Sequence, residues 1–541
     1  MPVPVRAACS GDRDIVMANW SAGYVVDVEY THGFYQELTP SLLGFLALLQ
    51  GVQAPDLGSA SLAYCELGCG QGFSTNLLAA ANPHIQFHAT DFNPGHIVGA
   101  QSLAQAGGLQ NVHFYDDSFA EFVNRSELPD FDFITLHGIY SWISPENRKT
   151  IVEFIRRRLK PGGIVYISYN CMPGWASMMP LRRLLVEHAA ARGPSLSPQS
   201  RVSTFLDLAD KLGTLDTRFF ASHPKLAKKI ERLKGQNQNY IFHEYFNQEC
   251  HPFYFTDLAH EFAEAKLTWA GPANALDTLD EINLTAEQRE FLAGIDDIAL
   301  RQMTRDHIVD QQFRRDIFVK GPVRLSSYQT RERWLDTRFA LATKGSKVPR
   351  EMRGMRAAIK LQDGIYGPLI AALEQGPRSL REIMAEPTLA PFNFNRLVQA
   401  LTILVAQGAC SPCLPEQGFA ERKLQVDRFN RTVADQSRFE RKFSYFASPV
   451  TGGGVAADRI NQLMWLSIHE QEPDTARFVG NVLSAAGQRL LKDGKPLTGA
   501  EHEAELRQRV AEFEENTLEV WSNLGLGAPL PQKSEQRRLR A

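Results

Sequence analysis

The sequence predicts an α/β domain with a mostly parallel, Rossmann-like sheet, followed by a longer, mostly helical region that includes a winged-helix-like unit. Three observations predict it. Short β-like runs alternate with helical runs from about residue 62 to residue 170, which is the pattern of a parallel sheet covered on both faces. A glycine cluster sits where the first of those strands turns into the first helix. Beyond about Pro180 the alternation is lost and apolar residues recur mainly at helical spacing.

Strands are expected at Leu62–Leu67, Ile85–Thr90, Val112–Tyr115, Phe131–Leu136 and Ile164–Tyr169. Between them, helices are expected at Ser74–Ala81, stopped by Asn82-Pro83, and at Pro94–Ala106, stopped by Gly107-Gly108. Another runs from Asn147 to Leu159 and ends at Lys160-Pro-Gly-Gly163. Further helical spacing covers Leu181–Ala191, Ser203–Leu212, Leu226–Leu233, Phe255–Ala265 and Ala286–Phe318. A turn-rich basic stretch from Lys320 to Arg350 reads as a connection. Three short helices at Tyr366–Gln375, Ser379–Met384 and Asn393–Gln407, with a hairpin at Gly408–Leu414, make the winged-helix-like unit. The remainder is helical around a glycine turn at Gly452–Gly454, and the basic tail from Lys533 is expected to be disordered. The expected domains are residues 1–190, 191–345, 346–425 and 426–541.

A chain of 541 residues is too long for one core. With 44% hydrophobic and 22% charged residues it is globular rather than disordered or collagen-like. The formal charge of −3 gives no overall pull toward nucleic acid or anionic lipid. Nucleic acid is not an expected partner, because the recognition-like helix Asn393–Gln407 carries only Arg396 as a base. No run of about 18 apolar residues occurs, so no membrane span is expected. The N-terminus lacks an apolar signal core, and seven cysteines show no framework spacing; a reducing cytoplasm fits both. Cys410 and Cys413 form a C-x-x-C with no second pair, so no metal site is expected. Eleven acids against two bases lie between Glu249 and Asp297, and fifteen bases against six acids between Arg301 and Lys360. That segregation is read either as two faces attracting each other or as a docking surface for a macromolecular substrate.

The chemistry concentrates in Glu66-Leu-Gly68-Cys-Gly70-Gln-Gly72. Glycines at a strand-to-helix turn let a ligand approach the backbone more closely than a Cβ allows. A dinucleotide fingerprint would need glycine at position 73, which is Phe73. The G-x-G-x-G spacing with an acid two residues before it favours S-adenosylmethionine over NAD. Asp91, followed by Phe92, ends the second strand nineteen residues after Gly72, where a carboxylate accepts both ribose hydroxyls. Asp117-Ser118-Phe119 follows the third strand, positioned for an adenine edge and face. The bland readings are a tight turn, a helix cap at Asp91 and a capping pair at Asp117-Ser118.

Together these residues resemble the class I methyltransferase pattern. His137-Gly-Ile-Tyr-Ser-Trp142 after the fourth strand and Ser168-Tyr-Asn-Cys-Met-Pro-Gly-Trp175 after the fifth resemble segments of a bacterial class I family that carries a methyltransferase regulatory domain. Tyr30–Pro40, Tyr240–Tyr245 with Pro252–Phe255, and Ala447–Gly454 are similar to other segments of that family, so the likeness runs from about Trp20 to beyond Trp465. It implies a seven-stranded methyltransferase domain with S-adenosyl-L-methionine as cofactor. The family includes rickettsial enzymes that methylate lysines of outer-membrane proteins, which implies a protein lysine as acceptor. The alternatives are a small-molecule or glycan methyltransferase, and a regulatory protein that binds the cofactor without transferring the methyl. A homodimer is compatible with either.

Transfer from a sulfonium is an in-line displacement, so the protein must chiefly align the partners, and an amine acceptor must lose a proton before attack. His137, Tyr140, Tyr169 and Asn170 stand where the methyl should emerge and are the catalytic candidates, with His137 also a cofactor contact. Asn170 would aim an amine and the tyrosines would wall a cation. Trp142 and Trp175 are read as shaping the pocket rim.

Overall fold

Parallel strands covered on both faces need apolar or internally paired residues along their whole length, and β1 (Leu62–Leu67) meets that demand with all six residues buried. The computed structural model describes residues 32–192, 197–492 and 495–527. The expectations for Tyr30 and for the tail from Lys533 lie outside them. β2 (Ile85–Thr90), β3 (Val112–Tyr115), β4 (Phe131–Leu136) and β5 (Leu159–Asn170) run parallel to β1 in register-matched pairs. Helices α1 (Pro40–Leu49), α2 (Phe73–Ala81), α3 (Pro94–Ala106), α4 (Phe119–Phe122) and α5 (Pro145–Arg158) accompany them. Each expected strand is present, β5 being longer than expected at its N-terminal end.

Two more strands complete the sheet. β6 (Leu267–Pro272) and β7 (Phe313–Lys320) give the order β3-β2-β1-β4-β5-β7-β6, with β7 antiparallel to both β5 and β6. The sheet is therefore not contained in residues 1–190, and the helix expected over Ala286–Phe318 stops short of β7. The reason is Arg314 and Asp316: charged in the sequence, they break the apolar run. In the fold they are buried and paired, with Arg314 Nε 2.8 Å from Asp316 Oδ2 and Arg314 Nη1 2.7 Å from Asp306 Oδ1. The strand order reverses between β1 and β4, and such switch points are where open α/β sheets bind ligands.

Between β5 and β6 the chain makes a helical cap of α6 (Met178–Ala191), α7 (Pro198–Thr214), α8 (Arg218–Ser222), α9 (Pro224–Lys234) and α10 (Gln238–Tyr245). Its own apolar cluster contains Trp142, Trp175, Phe205, Ile230 and Tyr245. α11 (Phe255–Ala263) then returns to the sheet, burying Phe255, Leu258 and Phe262 with Val165, Ile167 and Phe318. α12 (Asp280–Asn283), α13 (Ala286–Ala293) and α14 (Ile298–Val309) lead into β7.

The expected connection at 320–350 holds a helix, α15 (Ser327–Asp336), and a strand, β8 (Arg338–Leu341). α16 (Asp363–Glu374), α17 (Leu380–Met384) and α18 (Phe394–Ala406) are the three helices of the winged-helix-like unit. Its hairpin is absent. Cys410–Pro412 pairs instead with β8, which also takes Arg378–Ser379 on its other side. After it come α19 (Phe419–Gln436), α20 (Arg459–His469), α21 (Thr475–Ala485), α22 (Gly499–Asn516) and α23 (Leu518–Asn523). A single apolar cluster joins α1, α2 and one face of the sheet to this C-terminal half, from Phe34 through Leu526. Among the described residues no helix is long and apolar enough to cross a membrane.

Candidate active site

The turn from β1 into α2 passes through three left-handed glycines, Gly68 at φ 73°, Gly70 at 52° and Gly72 at 66°. Two are demanded by protein neighbours. A Cβ on Gly68 would lie 2.8 Å from Ile139 Cγ2, and one on Gly72 would lie 2.5 Å from Ala100 Cβ. The Gly70 N–H donates to Asp91 Oδ2 at 2.9 Å, tying the turn to the end of β2. Glu66, expected at the cofactor, has its carboxyl engaged by the protein itself. It is buried, its carboxyl accepts from Thr75 Oγ1, and it pins the first turn of α2 to β1. Burial pushes it up to about 7, against the Thr75 hydrogen bond and with the nearby Asp91 adding to the rise.

Asp91 is an organised acceptor. Its Oδ1 accepts the Asn93 N–H at 3.0 Å and lies 3.2 Å from His96 Nδ1, and each oxygen keeps lone-pair capacity for a ligand hydroxyl. Phe92 is half-buried beside it. The third group is mostly committed elsewhere. Asp117 forms a two-point pair with Arg125, Nη2 to Oδ1 at 3.0 Å. Ser118 and Glu121 make a capping box on α4, and Phe119 packs on the core below. The side chains of Asp117 and Ser118 are thus structural first, because a four-residue helix needs its cap. The cradle fits S-adenosylmethionine: the opening N–H groups of α2 have no partner within the helix and suit a carboxylate, and Asp91 suits ribose hydroxyls.

Residues 32–39 lie over this turn. Ser74 Oγ donates to the Gly33 carbonyl at 3.1 Å, Glu37 pairs with Arg315 of β7, and the Tyr35 ring stacks on His137 with centroids 3.8 Å apart. The segment is seated from behind by Gly452–Gly454. A Cβ on Gly454 would fall 2.6 Å from the Phe34 ring and one on Gly453 2.9 Å from Thr39 Oγ1, and Ser41 Oγ donates to the Thr451 carbonyl at 2.6 Å. The expected glycine turn is therefore a tight seat for the N-terminal side of the site. His137 Nδ1 lies 2.9 Å from Tyr166 Oη. Burial lowers His137 to about 4, with Glu37 opposing and Arg315 assisting. An imidazole that weakly basic is a poor proton acceptor at neutral pH.

Beyond His137 a cavity of about 400 Å³ opens at the carboxyl ends of β4 and β5, the size of a ligand pocket. Asn170 lines it, with its backbone held by Ser141 Oγ at 2.9 Å and the Phe253 N–H at 2.9 Å. Tyr169 also borders it, but its hydroxyl donates to Asp316 Oδ2 at 2.7 Å, where Trp269 Nε1 donates to Asp316 Oδ1 at 2.8 Å. Tyr140 is not at the methyl exit. The 3-10 turn Tyr140–Trp142 carries it into the core, between Phe253 and Phe262, with its hydroxyl donating to Glu261 Oε2 at 2.7 Å.

The far walls come from the cap, with Tyr240, Tyr245, Lys229 and Glu244, and from the turns after β4 and β5, with Trp142 and Trp175. Lys229 Nζ sits 4.8 Å over the Trp175 ring and donates to Gln312 Oε1 at 3.0 Å. Sequence reasoning missed Glu244. The available signal was a lone acid in the otherwise aromatic and apolar run around it, Tyr240 to Phe246. Burial pushes Glu244 up to about 7, while Asn170 beside it, then Lys229 and Arg182, oppose the rise. Even so, Asn170 Nδ2 reaches no acceptor at hydrogen-bonding geometry. Part of the charge segregation between 249 and 360 is resolved internally: besides Arg314 and Arg315, Arg305 pairs with Asp280 at 3.3 Å.

The chain matches two family models, a methyltransferase domain over residues 65–165 and a predicted methyltransferase regulatory domain over residues 237–320. The second span holds α10, α11, β6 and β7, so it finishes the sheet and walls the cavity. An uncharacterized protein of Synechocystis is 40% identical over 508 residues, covering 94% of this chain and 99% of its own length. A malonyl-[acyl-carrier protein] O-methyltransferase of Paenibacillus is 28% identical over 106 residues, 19% of this chain and 38% of that protein. The structure of PKMT2 from Rickettsia typhi in complex with AdoHcy matches with a TM-score of 0.68 at 17% identity, over 92% of this chain and 100% of that one. The shared fold thus runs through the cap and the C-terminal half. By its sequence, its sheet order and its glycine turn, the chain belongs to the class I S-adenosylmethionine-dependent methyltransferases that carry a methyltransferase regulatory domain.

Proposed function

We propose that this enzyme methylates the ε-amine of a lysine side chain in a protein. The observation that carries the reading is the cavity at the ends of β4 and β5, whose aromatic walls stand around a single carboxyl group, Glu244. Aromatic faces attract an ammonium through their quadrupole, and Lys229 over Trp175 is an internal case of that contact at this wall. The Trp142 and Trp175 rings meet edge to face at 6.2 Å and form one continuous aromatic wall against which a long apolar stem can lie.

When bound, S-adenosylmethionine supplies a methyl group already activated on a sulfonium. The chain's task is alignment, which is worth roughly 7–11 kcal/mol in well-oriented systems. The glycine turn and Asp91 hold the donor, and the Tyr35–His137 stack closes one side of the site. Asn170 aims the amine, and the uncharged His137 adds no competing cation at the transfer point.

The test is incubation of the full-length protein with isotopically labelled S-adenosylmethionine and a bacterial extract, followed by mass spectrometry of proteins and of the low-mass fraction. Label on lysine Nε is the expected result. Label confined to oxygen atoms, glycans or small molecules refutes the lysine reading in favour of the small-molecule or glycan alternative.

A further inference from the structure

We infer that Glu244, contributed by the regulatory-domain segment, binds the acceptor ammonium and takes its proton before transfer; this rests on the lysine reading above. Glu244 lines the same cavity as His137, Gly138 and Asn170, which stand at the carboxyl ends of β4 and β5. The titratable groups that the sequence offers as catalytic are committed elsewhere. His137 is bonded to Tyr166, the Tyr169 hydroxyl donates to Asp316, and Tyr140 lies in the core with Glu261. Asn170 has no proton to exchange at neutral pH, whereas Glu244 is the carboxyl group among the residues that line the cavity.

Its surroundings point the same way. Asn170 of β5, Lys229 of α9 and Arg182 of α6 face it, with Tyr240 and Tyr245 on its own helix and Cys250 just beyond. Lys229 is held by Gln312 and Trp175, and Arg182 Nη2 donates to the Asn247 carbonyl. Neither cation is placed to neutralise Glu244 by contact. A nearly enclosed carboxylate without a contacting cation is costly, and an incoming ammonium removes that cost. Burial also keeps its basicity near neutrality, where a group both accepts and releases protons. One proton passes from R–NH3⁺ to the Glu244 carboxylate, leaving a neutral amine. The amine lone pair forms the N–C bond as the C–S bond of the donor breaks, its electrons staying on sulfur. Glu244 then returns its proton to solvent through the cavity mouth.

The role can be read without knowing the acceptor. Sinefungin carries an amine-bearing carbon in place of the methylsulfonium and so presents a cation at the transfer point, whereas AdoHcy presents none. Both would be titrated calorimetrically into the full-length protein and into E244Q and E244A at pH 6 and pH 8. We expect a preference for sinefungin over AdoHcy of about tenfold at pH 8, the scale of one charge-assisted contact. It should shrink at pH 6, where Glu244 is protonated, and vanish in both variants while their AdoHcy affinity holds. An equal preference in parent and variants overturns the inference. Should the variants lose AdoHcy binding through misfolding, the unaltered chain decides: a preference that is flat between pH 6 and pH 8 overturns it. The lysine reading fails separately, on the identity of the labelled product, whatever the sinefungin ratio.

Discussion

Replacing Asp91 with alanine tests how the donor is held. The carboxylate serves two masters: it receives the Gly70 N–H at 2.9 Å and the Asn93 N–H at 3.0 Å, and it has capacity left for ribose hydroxyls. Loss of a charge-assisted contact to the ribose costs about 1.5–3 kcal/mol, and loosening the turn adds about 0.5–1 kcal/mol. The total, about 2–4 kcal/mol, raises Kd roughly 30- to 1,000-fold. Isothermal titration with AdoHcy measures it, with circular dichroism confirming the fold. A 2′-deoxy analogue separates the two roles, because a ligand lacking that hydroxyl has less to lose. Parent-like affinity in the alanine variant refutes the whole account. Equal losses for AdoHcy and the deoxy analogue leave Asp91 as a loop anchor only.

Two further predictions follow from the sheet and from His137. A chain ending at Arg192 lacks β6 and β7, leaving the β5 edge from Ile164 to Asn170 unpaired, so it should show no cooperative melt and no heat with AdoHcy; a folded, binding fragment refutes that. His137 is held at about 4 in the fold, below its ordinary value of 6.5, so the unfolded chain binds more protons between those values. Its contribution to stability is complete above about pH 6.5 and declines as pH falls toward 4. His137→Phe should flatten the acid side of urea midpoints taken from pH 7.5 to pH 4.5, and a variant with the parent's slope contradicts this origin.

The half of the sheet from β1 to β5 is legible in the sequence because each strand is a short, mostly apolar or aromatic run with a turn at its end. β7 is not, because Arg314 and Asp316 interrupt its pattern, and only the fold reveals that they neutralise each other. The same holds for Glu66 and Ser118: the motif marks them, but a motif does not say whether a side chain faces the ligand or braces the turn beneath it. Asp91 and the three glycines are where the motif and the geometry coincide. Glu244 was hidden for a different reason. It lies 74 positions beyond Asn170 in the chain, and only the cap helices α6–α10 bring the two together.

The seat formed by Gly452–Gly454 has a consequence for when the enzyme becomes competent during its own synthesis. Ser41 and Thr451 are 410 positions apart. A nascent chain that has just passed β7 owns the full sheet, the glycine turn and both halves of the cavity. It still lacks the seat behind Phe34 and Thr39, and holds the Tyr35 segment through Ser74 and the Glu37–Arg315 pair. The backing of the transfer site is completed last, by residues translated well after the chemistry-bearing ones. A chain clipped before Thr451 should therefore keep the donor motif but hold Tyr35 less firmly over His137.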